Sequence, residues 1–150
     1  MAEPRVSRRG IFPRLIAAAA AGGAAFSARA EEPQRPRVAY HLSDVEKVKF
    51  ALGNIANHIE GMGGADKVEI VLVVNGPALL AFRTSRADPD LTRRLRRAQT
   101  AGVVLEACGN TLDAQKLSPA DLLPGFVRID EGGVVRLHRL QMQGYAYIRP

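Results

Sequence analysis

Apolar residues in this chain are arranged in two ways, short unbroken runs and stripes at steps of three and four, and each arrangement predicts a different element. Lys67 to Val74 (KVEIVLVV) ends in five consecutive Ile, Val or Leu residues. A run of this kind predicts a strand covered on both faces, as in a parallel sheet. After Gly102, Val103, Val104 and Leu105 predict a second buried strand, which Glu106 and Ala107 bring to its end. Arg37 to Leu42 (RVAYHL), Phe126 to Ile129 and Tyr145 to Ile148 (YAYI) predict three more. The stripes lie between these runs. Val45, Val48, Leu52, Ile55, Ile59 and Met62 form one apolar helix face, with Ser43 and Glu46 at capping-box spacing before it and Gly61, Gly63 and Gly64 after it. Phe50 lies on the opposite face among Asn54, Asn57 and His58, which hints at a subunit interface. Asp88-Pro89 predicts an N-cap with proline at the first helical position, and Leu91, Leu95 and Ala98 turn inward before Gly102. Shorter helical pieces are predicted at Ala78 to Phe82, at Thr111 to Lys116 and after Ser118. Gly132 and Gly133 open a last helix with Val134, Leu137 and Leu140 toward the core.

Strand and helix therefore alternate along the chain. This predicts an α/β fold, a three-layer α/β/α arrangement around a five-stranded parallel sheet of flavodoxin-like architecture. The length of 150 residues suits one domain, and a 47% hydrophobic composition is enough for a core.

Charge changes the picture mainly at the N-terminus. Of the formal net charge of +6, residues 1–30 contribute +4 through Arg5, Arg8, Arg9, Arg14 and Arg29 against Glu3. Paired Arg8-Arg9, an alanine-rich run from Leu15 to Phe26 and the small-x-small Ala28-Arg29-Ala30 read as a secretory signal peptide of the twin-arginine type. The run is shorter than the ~20 residues a membrane span needs, so no stable membrane insertion is expected after signal removal. Cleavage after Ala30 and a periplasmic location are the expectations. Residues 31–36 then form a flexible tail, and 37–150 form the folded domain.

Candidate chemistry centres on Cys108, the one cysteine in the chain. A single cysteine excludes an internal disulfide and any multi-cysteine metal or iron–sulfur site. Cys108 falls where a strand gives way to a helix start at Gly109, Asn110 and Thr111. Ligands of α/β sheets bind at the carboxyl ends of strands, and a thiol near a helix N-terminus is biased toward the thiolate. The first two strands end at His41 and Asn75, so neighbouring strands would bring His41, Asn75 and Cys108 to one crevice. The competing reading makes Cys108 a small buried hydrophobe. No metal site is expected, because His41, His58, His138 and Cys108 lack ligand spacing, and no cofactor is expected. Arg93, Arg94, Arg96 and Arg97 form a basic cluster without interleaved aromatics, which reads as a solvated helix face and not as a nucleic-acid footprint.

Several segments in fixed order resemble the DsrE/DsrF-like family. They are Tyr40 to Asp44 (YHLSD), Ala51 to Ile59 (ALGNIANHI), Asn75 to Pro77 (NGP), Ala101 to Leu112 (AGVVLEACGNTL), Asp121 to Gly125 (DLLPG) and Gln143 to Pro150 (QGYAYIRP). The resemblance spans Val38 to Pro150. It implies the same three-layer fold, assembled as a homo- or hetero-oligomer. It also implies sulfur handling, in which a cysteine accepts sulfane sulfur as a persulfide and passes it to a partner protein. In this chain that role can fall only on Cys108; the strand ends, read without the resemblance, add His41, Asn75, Gly109 and Asn110 as the surrounding binding groups. The alternative is a non-catalytic ligand-binding or assembly protein with a structural cysteine. The leader departs from the cytoplasmic sulfur-relay members, whose partners an exported protein would not meet.

Overall fold

A computed structural model describes residues 35–150. The leader, its cleavage point after Ala30 and most of the 31–36 tail lie outside the described residues. The five strands are β1 (Arg37–Leu42), β2 (Glu69–Val74), β3 (Val104–Cys108), β4 (Phe126–Ile129) and β5 (Ala146–Ile148). They form one fully parallel sheet in the order β4-β3-β2-β1-β5. The helices are α1 (Val48–Gly61), α2 (Pro89–Thr100), α3 (Gly109–Ala114) and α4 (Gly133–Met142). The α/β class and its parallel five-stranded sheet are as the sequence predicts.

This strand order accounts for the layers. From β1 to β4 the chain moves steadily toward one edge, and right-handed crossovers place every connection on one face. The main core lies there: Val38, Tyr40 and Leu42 of β1, Ile70, Leu72 and Val74 of β2 and Leu105 and Ala107 of β3 meet Leu52 and Ile55 of α1, Leu91 and Leu95 of α2 and Leu112 of α3. The chain then returns from β4, past three strands, to β5 on the far side of β1. The same handedness sends this connection across the other face, which α4 covers. The core on that side is small: Ala39, Val71, Val73, Leu137 and Leu140, with Tyr145 against them.

Several local expectations hold in detail. The Asp88 carboxylate accepts from the Leu91 N–H at 2.8 Å and caps α2. Gly63 and Gly64 follow α1 with φ of 90° and 134°, a conformation costly for other residues. Other expectations are corrected. Ser43 and Glu46 form no capping box. A 3-10 turn over Val45–Lys47 precedes α1, Asp44 takes the N-cap position without a side-chain bond, and Ser43 Oγ accepts from Arg149 instead. That early turn lifts Val45 out of the stripe, leaving it 41% exposed. Val134 is 72% exposed, because α4 presents only Leu137 and Leu140 to its narrow core. Finally, β3 continues through Cys108 where the sequence predicts an end at Glu106 and Ala107, and α3 starts at once with Gly109.

Candidate functional site

The chain leaves β3 for α3 on the main-core face, whereas it leaves β4 for α4 on the opposite face. The carboxyl ends of β3 and β4 are therefore the point where successive connections diverge. In open α/β sheets that divergence opens a crevice for ligands. Cys108, the last residue of β3, sits at this point, paired in register with Ile129, the last residue of β4.

The thiol is buried, with 5% of its surface exposed, and donors surround it. The first N–H of α4, from Gly133, donates to Sγ at 3.1 Å. Burial pushes the thiol pKa up. The Thr111 hydroxyl and the N–H groups of Gly133, Thr111 and Asn110 pull it down, and the net result lies below the ordinary thiol value. The Thr111 hydroxyl is itself fixed, because its oxygen accepts the Gly76 N–H at 3.0 Å. Gln115 Nε2 donates to the Gly76 carbonyl at 2.9 Å and ties the same loop to α3. Thr111→Val removes one donor at nearly constant volume. We expect the midpoint of the pH profile for Cys108 alkylation to move up by roughly one unit.

Two glycines make this arrangement sterically possible. A Cβ on Gly133 would lie 3.3 Å from Cys108 Cβ and 3.4 Å from Asn75 Cβ, so a side chain there would crowd Cys108 and displace the start of α4 by a few tenths of an ångström. A Cβ on Gly109 would lie 2.7 Å from the Ile129 carbonyl oxygen.

Of the sequence-predicted residues, Cys108 and Asn75 meet at Gly133, Asn110 lies at the preceding Gly132, and Gly109 sits against the end of β4 at Ile129. Asn110 packs its amide against Gly132, which has a φ of +86° and no room for a side chain: a Cβ there would lie 2.6 Å from Asn110 Nδ2. His41 joins the group through Asn75. Its Nε2 bonds Asn75 Oδ1 at 3.1 Å and its Nδ1 bonds the Tyr147 hydroxyl at 2.8 Å. Burial lowers the His41 pKa, outweighing the bond to Asn75. Because Asn75 presents its amide oxygen, which only accepts, the neutral ring donates from Nε2 and accepts the Tyr147 hydroxyl at Nδ1. Both ring nitrogens are thus engaged away from the thiol, and local N–H and O–H donors favour its ionised form.

Sequence reasoning missed Thr111, Gly133 and Tyr147 as members of this site, and it missed the ion pair beside it. Glu106, two residues before Cys108 on the same face of β3, is 4% exposed and holds Arg136 of α4 through three contacts of 2.7–3.0 Å. The available signal was a carboxylate inside an apolar run. Away from the crevice, Arg93 and Arg94 are both held by Asp90. A groove of about 210 Å³ runs between α1 and α2, lined by Leu52, Ile59, Arg94 and Arg97, on the face opposite Cys108. Among the described residues, no cluster of three or more His, Cys, Asp or Glu could hold a metal ion.

Fold and crevice together define a parallel α/β thiol protein, with its one cysteine at the divergence of two strand connections. The chain belongs to the DsrE/DsrF-like family, whose model matches residues 26–150, a family generally linked to sulfur relay. Among solved structures it is similar to a protein of unknown function, MTH1491, from Methanobacterium thermoautotrophicum, at 29% identity and a TM-score of 0.66, covering 77% of this chain and 99% of that one. It shares its fold with the YchN protein of E. coli, at 15% identity and a TM-score of 0.59, with the same two coverages. No curated protein matches the sequence.

Proposed function

We propose that this protein is an exported, periplasmic sulfur carrier that holds sulfane sulfur as a persulfide on Cys108. The observation that carries this reading is the set of donors around Sγ, from Thr111, Gly133 and Asn110, at the strand-connection divergence. A thiolate is the nucleophile such chemistry needs. The Cys108 thiolate attacks the sulfane sulfur of a thiosulfate or polysulfide. A new S–S bond forms as the old one breaks, and the electron pair leaves with sulfite or the shortened polysulfide. A partner's thiolate then attacks the outer sulfur, which restores the Cys108 thiolate and carries the sulfur away. No outside oxidant enters either step, and no second cysteine is needed in this chain. The outer sulfur would stand roughly 2 Å beyond Sγ.

Assembly with further copies belongs to the same proposal. The 55% exposure of Phe50 on α1, and of Val104 and Val127 (44% and 57%) on a parallel sheet, supports it, since such sheets are ordinarily covered on both faces.

Mass spectrometry of the mature protein after thiosulfate or polysulfide treatment tests the reading. We expect an increment of one sulfur atom on Cys108, removed by a thiol reductant and absent from Cys108→Ser. The near-complete burial of Cys108 favours a second reading, a binding or assembly protein with a structural cysteine. An unmodified Cys108 under both donors would select it. N-terminal sequencing of the exported protein, expected to begin at Glu31, tests the location.

A further inference from the structure

The sulfur chemistry makes no use of the most unusual pair in the molecule. Glu106 is the buried charged residue of the described chain, and Arg136 reaches it from α4 with Nε at 2.8 and 3.0 Å and Nη2 at 2.7 Å from the carboxylate oxygens. Stability alone does not explain such a pair, because apolar residues of similar volume often serve as well; fixing one register among several is its better-attested use.

The geometry identifies the register concerned. Glu106 and Cys108 are two residues apart on β3 and share a face, separated by roughly 6.6 Å along the strand. Gly133 and Arg136 are three apart on α4 and share a helix face, separated by roughly 4.5 Å along the axis. Each strand residue holds one helix residue: Cys108 Sγ takes the Gly133 N–H, and Glu106 takes the Arg136 guanidinium. Apolar packing provides little resistance to sliding. Beneath α4 lie Ala39, Val71 and Val73, and α4 contributes only Leu137 and Leu140, while Val134, Val135 and Met142 face outward.

We infer that the Glu106–Arg136 ion pair is a positioning device that sets the register of α4 on the sheet, so that the Gly133 N–H lands on the Cys108 sulfur. Its purpose rests on the proposed role of Cys108; its geometry does not.

The test is the pH profile of iodoacetamide alkylation of Cys108 in the full chain, with circular dichroism and thermal unfolding to confirm that each variant is folded. In the double variant Glu106→Leu with Arg136→Met, the pair is replaced by apolar groups at unchanged net charge. We expect the alkylation midpoint to rise by about one unit, the size of one lost charge-assisted hydrogen bond. Glu106→Gln provides a second reading whose sign is diagnostic. Removing a nearby negative charge alone would lower the midpoint, whereas loss of register raises it. A midpoint that is unchanged or lower in the folded variants overturns the inference. Sulfur loading of the parent protein is read separately by mass, so a protein that never loads sulfur defeats the carrier proposal without touching this one.

Discussion

Arg136→Ala is expected to lower the free energy of unfolding by roughly 3–5 kcal/mol, read as a shift of the urea midpoint at unchanged slope. The cost arises on the sheet and not on the helix. With Arg136 gone, the Glu106 carboxylate, 4% exposed in the intact protein, is left beneath α4 with no cation to offset its lost hydration. The reverse truncation, Glu106→Ala, is expected to cost less. It leaves behind an Arg136 side chain that is already 24% exposed and can turn its guanidinium to water. This asymmetry is itself a prediction. Equal losses from the two single variants would mean that the pair acts through shape alone.

Gly109→Ala is expected to cost about 1–3 kcal/mol and to disturb Cys108 as well, although alanine is by preference the better helix former by about 1 kcal/mol. Here space outweighs propensity. The new methyl group would lie 2.7 Å from a backbone oxygen, that of Ile129, which cannot rotate away, and 3.2 Å from Arg128 Nη2. Arg128 is also constrained, by two bonds to Asp113 of α3 at 2.9 and 2.7 Å and one to Asp130 at 2.6 Å. The ends of β3 and β4 must therefore part. Urea unfolding measures the loss, and a raised alkylation midpoint for Cys108 would report the accompanying shift. A variant as stable as the parent, with an unshifted thiol, would show that the strand ends yield freely.

What could be read from the sequence was local. The bounds of β1 at Arg37 and Leu42, the five apolar residues closing β2, and the Asp88-Pro89 start of α2 all depend on neighbours a few residues away, and all appear in the structure. The convergence of Asn75 and Cys108 was also within reach, because it requires only that β2 and β3 be neighbours. The origin of the Gly133 donor was not. It depends on the return of the chain from one sheet edge to the other, and nothing near Gly132-Gly133 encodes strand order. The same blindness to distance explains Ser43, whose hydroxyl is taken by Arg149 from the far end of the chain. Val134 fails for a different reason. It has a helical step from Leu137, but the small core on that side leaves it outside.

The thin covering of one sheet face gives α4 a further property. A helix held by two leucines, one ion pair and one bond to sulfur is a weakly protected unit, of the kind that opens before the rest of a fold does. Cys108 lies beneath it, so lifting of α4 would open the sulfur to reagents. If opening and closing are fast compared with modification, the plateau rate at high pH, divided by the rate for a free thiolate, gives the fraction of molecules with α4 lifted, while the midpoint still reports the closed state that dominates the population. One titration of one sulfur atom would then yield both how tightly the helix is seated and how strongly the closed site favours charge. A partner protein that receives sulfur from this crevice would speed the transfer most by holding α4 open.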